Sequence, residues 1–347
     1  MAYYFNLPKQ DDLTPDQKLA VEETSPVTLF GGPGTGKSVV GLWKHIRNYS
    51  QGKRSLLLTY TKTLQHFLIG ASASQNESAA KNIQRTQKWA YSNNKSNYDE
   101  IIIDEAQDVK YNLYRTVSSH SNSVSYSADP DQSVYLSPSE VTELLSQLSN
   151  EYSSNEEYEL EKNFRNSKEI LTFIKAVFPE KQISQAAVDS STVTGIKPIM
   201  IIVGWDDDNL CTKIVEIIKQ YSSETHNIGI LLTSAKKVVE YYGKLQTRFK
   251  NNPELSKYLP KLTRYESKMD TFEGLGNIHL TTFKSAKGLQ FNSVIIPNFD
   301  SYKWFIQNSE RISQNDYYVA LSRAETNIFL LCKNRLEGIS AETYEKD

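Results

Sequence analysis

Short apolar runs punctuate this chain, and most are followed by a longer stretch in which apolar residues recur every three or four positions. Val27–Phe30, Ser55–Tyr60, Glu100–Asp104 and Ser123–Ser127 make a first set. Pro198–Val203, Ile228–Leu232, Ile278–Thr282, Val294–Pro297 and Ile328–Cys332 make a second. Runs this short, apolar throughout, read as strands covered on both faces. Their alternation with helical patterns predicts parallel sheets flanked by helices. The expected fold is α/β with two units, residues 1–145 and 146–347, joined near a polar stretch at Ser137–Glu157. Ala71–Ala80 and Ser92–Asn97 are small and polar, and are expected to be loops. Asn251–Lys268 is charged and reads as helix plus loop. No internal repeat is visible.

One junction carries chemistry. After Val27–Phe30 comes Gly31-Gly32-Pro33-Gly34-Thr35-Gly36-Lys37-Ser38, then a helical pattern. This is G-x-x-x-x-G-K-[ST] between strand and helix. Glycines let such a loop fold around a phosphate chain, and the following helix N-terminus adds its positive dipole end. Gly32 through Gly36 would cradle the phosphates, Lys37 would reach the β- and γ-phosphates, and the Ser38 hydroxyl would ligate Mg²⁺. Downstream, Ile101-Ile102-Ile103 ends in Asp104-Glu105. A buried strand that ejects two carboxylates at its carboxyl end puts them where α/β sheets bind ligands. Asp104 suits the metal, and Glu105 suits the base that aligns water. ATP and Mg²⁺ are the implied cofactors.

Composition narrows the setting. The chain has 347 residues, 39% of them hydrophobic, enough for about two cores. Its net charge of -2 means that nucleic-acid binding would need a local groove rather than bulk charge. Cys211 and Cys332 lie far apart in apolar surroundings and read as reduced thiols. The opening residues lack the basic start and apolar run of a signal peptide, and no run nears the ~20 residues needed to cross a bilayer. A cytoplasmic protein without a membrane role is expected.

Several further segments, in order, resemble the motifs of superfamily 1 helicases of the UvrD/Rep type, across roughly residues 11–333. Leu13-Thr14-Pro15-Asp16-Gln17 is similar to their adenine-reading motif, Thr59-Tyr60-Thr61-Lys62 to motif Ia, and Asp104–Asp108 to motif II. Asp129-Pro130-Asp131-Gln132-Ser133-Val134-Tyr135 resembles motif III, and Glu161–Ser167 motif IV. Thr282–Phe291 resembles motif V, and Tyr318–Ala324 motif VI. The resemblance implies two RecA-like domains that hydrolyse ATP and move along single-stranded DNA. It implies that Gln17 reads adenine, Phe164 stacks on the base, and Gly288 and Gln290 lie at the nucleotide. Gln132 would sense the γ-phosphate, and Arg165 and Arg323 would reach it from the second unit. Tyr60, Thr61, Thr86, Tyr135, Thr282 and Lys284 would touch the nucleic acid.

The pattern is not followed throughout. Ala128 stands where motif III usually has glycine, which is tolerable if its φ is negative. Lys284 replaces a histidine, Gln290 a ribose-binding glutamate, and Ser322 a threonine. The gaps that in UvrD-like enzymes hold the accessory subdomains 1B and 2B are short, so a stripped motor core is expected. Such a core would act with a protein partner, for example a nuclease, in DNA repair or defence against phage. A regulatory nucleotide switch controlling that partner, and a motor on RNA, are the alternatives.

Overall fold

The apolar runs pair into two sheets. In a computed structural model that describes residues 7–181, 183–204, 206–266, 269 and 274–347, contacts divide the chain between Asn163 and Phe164. In the first unit β1 (Val27–Phe30), β2 (Ser55–Thr59), β3 (Ile83–Arg85), β4 (Glu100–Ile103), β5 (Val124–Ala128) and β6 (Glu156–Glu159) lie in the order β3-β2-β4-β5-β1-β6. Every pairing is parallel. Ile101, Ile102 and Ile103 sit opposite Leu56, Leu57 and Leu58. Ile101 and Ile103 join one core with Tyr114, Tyr126 and Leu148, while Ile102 joins another with Val40, Leu42 and Leu57. Burial on both faces is why this strand reads as one unbroken apolar run.

The helix Lys37–Ser50 packs on β2, β4 and β5 and is pinned far from its start. Lys44 Nζ donates to the carbonyls of Glu23 (2.7 Å) and Ser25 (3.0 Å) and stands 3.8 Å from Glu100. Asn48 donates to the same Glu100 carboxylate at 2.6 Å. Arg47 reaches the Val21 and Glu23 carbonyls, both at 2.7 Å.

The second unit contains β7 (Ile199–Ile202), β8 (Ile228–Leu232), β9 (Leu262–Tyr265), β10 (Ile278–Thr282), β11 (Phe291–Pro297), β12 (Ala324–Cys332) and β13 (Glu345–Lys346). Their order is β13-β7-β12-β11-β8-β10-β9, again all parallel. Helix Ala235–Asn251 buries Val238, Tyr241, Leu245 and Phe249, one apolar stripe at helical spacing. Cys211 and Cys332 are free and buried. The expected two-sheet α/β fold is the observed one.

Three expectations about the connections need correction. Ala71–Ala80 is largely helical: Lys62–Ala73 runs into it, and Glu77–Ala80 follows, capped by the Asn76 side chain on the Ala79 N–H at 3.0 Å. Ala71 and Ala79 are core residues, small because two helices meet there. The polar stretch Ser137–Glu157 holds a helix, Pro138–Glu151, and the start of β6. That helix opens with a Ser137–Glu140 capping box and buries only Val141, Leu144 and Leu148. The boundary expected at 145/146 therefore falls inside a helix, and the first unit runs on until β6 has paired with β1. Asn251–Lys268 yields a 3₁₀ turn at Ser256–Lys261 and then β9, with Ser267 and Lys268 outside the described residues.

Candidate active site

The glycine-rich loop leaves β1 with three left-handed glycines, Gly31 (φ 148°), Gly34 (φ 75°) and Gly36 (φ 90°). Its carbonyls are taken up by side-chain donors. Lys37 Nζ donates to Gly31 O at 2.6 Å and Gly32 O at 2.9 Å, and the Thr35 hydroxyl donates to Gly32 O at 2.9 Å. Asn163 Nδ2 donates to Pro33 O at 2.6 Å, and Gln17 Nε2 to Thr35 O at 2.9 Å. The helix Lys37–Ser50 begins directly after Gly36, and its first N–H groups lack intrahelical acceptors.

Asp104 follows β4 and is buried. Its Oδ1 accepts from the Ser127 hydroxyl at 2.6 Å and from the Glu105 N–H at 3.1 Å, while Oδ2 is buried with no hydrogen-bond partner. Burial holds this carboxyl above its usual range and the Glu105 charge adds to that; bonds from Ser127 and Ser38 and the charge of Lys37 pull it back. Glu105 adopts the left-handed region, φ 59° and ψ 43°, unusual for a side chain of its size. Gln107 donates to its Oε2 at 2.6 Å and accepts from the Asp129 N–H at 3.1 Å.

Asp129 gathers the other side. Its Oδ2 lies 3.8 Å from Lys37 Nζ and accepts from Gln132 Nε2 at 2.6 Å. Burial raises this carboxyl too, against the Lys37 charge and the Gln132 bond. Asp108 Oδ1 holds the next segment through the Ser133 hydroxyl (3.2 Å) and the Val134 N–H (3.1 Å). Lys37, Ser38, Asp104, Glu105 and Gln132 thus belong to one linked cluster. Ala128 lies in β5 and is not among the left-handed residues, so the lost glycine is harmless. The sequence reading assigned no role to Gln107 or Asn163. For Gln107 a signal existed, since it lies between two expected site residues.

Gln17 comes to the loop, but both ends of its amide are engaged: Oε1 accepts the Thr14 N–H at 2.9 Å as part of a capping box, and Nε2 braces Thr35. Tyr60 and Tyr135 meet as a ring pair, centroids 4.5 Å apart and tilted 34°. Gln87 donates to the Tyr60 hydroxyl at 3.1 Å. Thr61 caps Lys62–Ala73 by accepting the Leu64 N–H, and Thr86 Oγ1 donates to Thr59 O at 3.4 Å, so both hydroxyls also serve the fold.

In the second unit Phe164 is 39% exposed. Arg165 Nε donates to Gln290 Oε1 at 3.2 Å, joining two expected nucleotide residues. Arg323 folds back on its own unit: Nε to Val319 O at 2.9 Å, Nη1 to Leu289 O at 3.4 Å, Nη2 to Ser322 Oγ at 2.9 Å. Gly288 is left-handed at φ 82°. Thr282 Oγ1 accepts the Ser285 N–H at 3.1 Å and donates to its hydroxyl at 3.0 Å. Lys284 Nζ stands 3.9 Å from the buried Asp316.

Two parallel-sheet α/β units, the first with a glycine-rich phosphate loop at the end of β1, define a nucleotide-binding type of α/β protein. Residues 25–258 match the Schlafen group 3, DNA/RNA helicase domain, and the chain belongs to that family. It is 28% identical over 106 residues to the ATP-dependent DNA helicase srs2 of Schizosaccharomyces pombe, a match covering 29% of this chain and only 12% of that protein. Among solved structures it is similar to the PRRSV helicase, with 14% identity and a TM-score of 0.43 over 92% of this chain and 55% of that one. A complex of arterivirus nonstructural protein 10 (helicase) with DNA gives 12% identity and a TM-score of 0.45 over 93% and 64%. No helix among the described residues is long and apolar enough to cross a membrane.

Proposed function

We propose that this chain is an ATP-dependent motor on single-stranded nucleic acid, a helicase or translocase of the UvrD/Rep type. The observation that carries the reading is Asp104. Its Oδ2 is buried without a hydrogen-bond partner, in a carboxyl that the Ser38 hydroxyl of the phosphate loop also influences. A carboxylate oxygen stripped of water and left unpaired is costly unless a ligand completes it. An oxygen donor set of carboxylate and hydroxyl suits Mg²⁺. Asp104 and Ser38 would hold that ion, which would neutralise charge on the β- and γ-phosphates.

The chain's own residues then have defined tasks. Lys37 would exchange its bonds to loop carbonyls for phosphate oxygens. Glu105, steadied by Gln107, would orient the attacking water and take its proton. Gln132, tied to Asp129, would answer to the γ-phosphate. Arg165 would add its charge in the transition state, and Phe164 would stack on the base. Tyr60 and Tyr135 would offer aromatic faces to bases of the strand.

The test is ATP turnover with and without single-stranded DNA and RNA, with Glu105→Gln as the control. Stimulation by one of the polymers, lost in the control, is expected. Turnover indifferent to every polymer would instead mark a regulatory nucleotide switch. No ATP binding at all would end the reading.

A further inference from the structure

Asn163 is the last residue of the first unit, directly before Phe164 and Arg165. Three contacts bind the segment it ends to the phosphate loop. The Leu160 N–H donates to Phe30 O at 2.8 Å, at the mouth of the loop. The Leu160 carbonyl lies where a Cβ on Gly31 would fall, 2.4 Å away, so only glycine fits. Asn163 Nδ2 closes the contact on Pro33 O at 2.6 Å, and Asn163 is buried.

We propose that Asn163 is a positioning residue for the phosphate loop, and that residues 160–163 act as its splint. A loop that binds phosphate must keep its carbonyls turned away from the anion. Lys37 holds two of those carbonyls, yet Lys37 would leave them for a phosphate. Gln17 holds Thr35 O from the other side. Asn163 is the donor that stays on Pro33 when Lys37 moves, and so fixes the loop's middle in either state. Because its neighbour in the chain is Phe164, a shift of the loop passes through one side chain to the segment carrying Phe164 and Arg165. This inference rests on the nucleotide reading above.

The substitution is Asn163→Asp, which keeps shape and replaces the donor with an acceptor facing Pro33 O. Its matched control is Asn155→Asp. Asn155 Nδ2 braces Val124 O at 3.0 Å and Thr28 Oγ1 at 3.1 Å in the same unit, away from the loop. Amide exchange of residues 31, 32 and 34–36 is measured without nucleotide, and MgADP affinity is measured beside it. Asn163→Asp should speed loop exchange and weaken MgADP binding roughly 5- to 150-fold, since one lost buried partner costs about 1–3 kcal/mol. Asn155→Asp should lower the melting temperature by a similar amount with neither effect. Asn163→Ala serves if the aspartate variant does not fold. Loop exchange equal in the two variants overturns the splint. Faster exchange confined to Asn163→Asp, in a wild type that binds no MgADP, would keep the splint and remove the nucleotide reading.

Discussion

Two glycines of the loop should respond oppositely to the same substitution. Gly36 has φ 90°, and a Cβ there would fall 2.4 Å from Gln17 Nε2. Alanine in a left-handed conformation costs roughly 1–2 kcal/mol. The clash also drives Gln17 off Thr35 O, a buried acceptor whose loss costs about 1–3 kcal/mol. A total near ~3 kcal/mol lowers the melting temperature of a unit this size by roughly 6–12 °C. Gly32 lies outside the left-handed region, and a Cβ there meets nothing within 4 Å. Gly32→Ala should therefore melt at the wild-type temperature or slightly above, because alanine restricts the unfolded chain. Calorimetric or fluorescence melting of the nucleotide-free protein reads both. A Gly36→Ala protein as stable as wild type would refute the clamp formed by Gln17, and a strongly destabilised Gly32→Ala would refute the described loop.

Glu105→Gln should still bind ATP but turn over at least ~100-fold more slowly, as expected for loss of a general base; single-turnover kinetics decide, and wild-type rates would remove the base assignment. Asp104→Asn should melt higher than wild type at pH 8, with a gap that narrows by pH 4. Burial raises the folded carboxyl above 3.8, so the folded state binds its proton more readily than the unfolded chain, and stability falls as pH rises through the folded value. A gap independent of pH would contradict this. Arg323→Ala should lower the melting temperature by several degrees, since the buried bonds to Val319 O, Leu289 O and Ser322 Oγ are lost, whereas Arg165→Ala should leave it almost unchanged; melting curves of the two variants, side by side, test this contrast.

Some of this molecule could be read directly from residue order. The isoleucine run before Asp104-Glu105 announced a doubly covered strand, and the glycine spacing after Phe30 announced the loop. β6 could not be read, because Glu156–Glu159 is an edge strand whose glutamates face solvent, leaving Tyr158 alone to pack on the core. Helix Pro138–Glu151 hid for a related reason: three buried residues in fourteen leave a polar average. Asn163 and Gln107 act through hydrogen bonds to backbone atoms distant in sequence, which no local pattern encodes. Arg323 shows the reverse limit. Its motif is visible in the sequence, but its guanidinium serves Val319, Leu289 and Ser322 through bonds that no local pattern encodes.

The helix behind the phosphate loop has a fulcrum. Lys44 and Arg47 moor it to the end of helix Pro15–Glu22, whose other end carries Gln17 and braces the loop. The two helices are thus riveted at both extremities. Lys37 lies seven residues from Lys44, a lever arm of about 10 Å at helical rise. A pull on Lys37 would have to break charged, sheltered bonds worth about 1.5–3 kcal/mol each before the helix could bend. Asn48 and Lys44 tie the same pair to Glu100 of β4, so the loop end of the helix stands on a braced base rather than a free one.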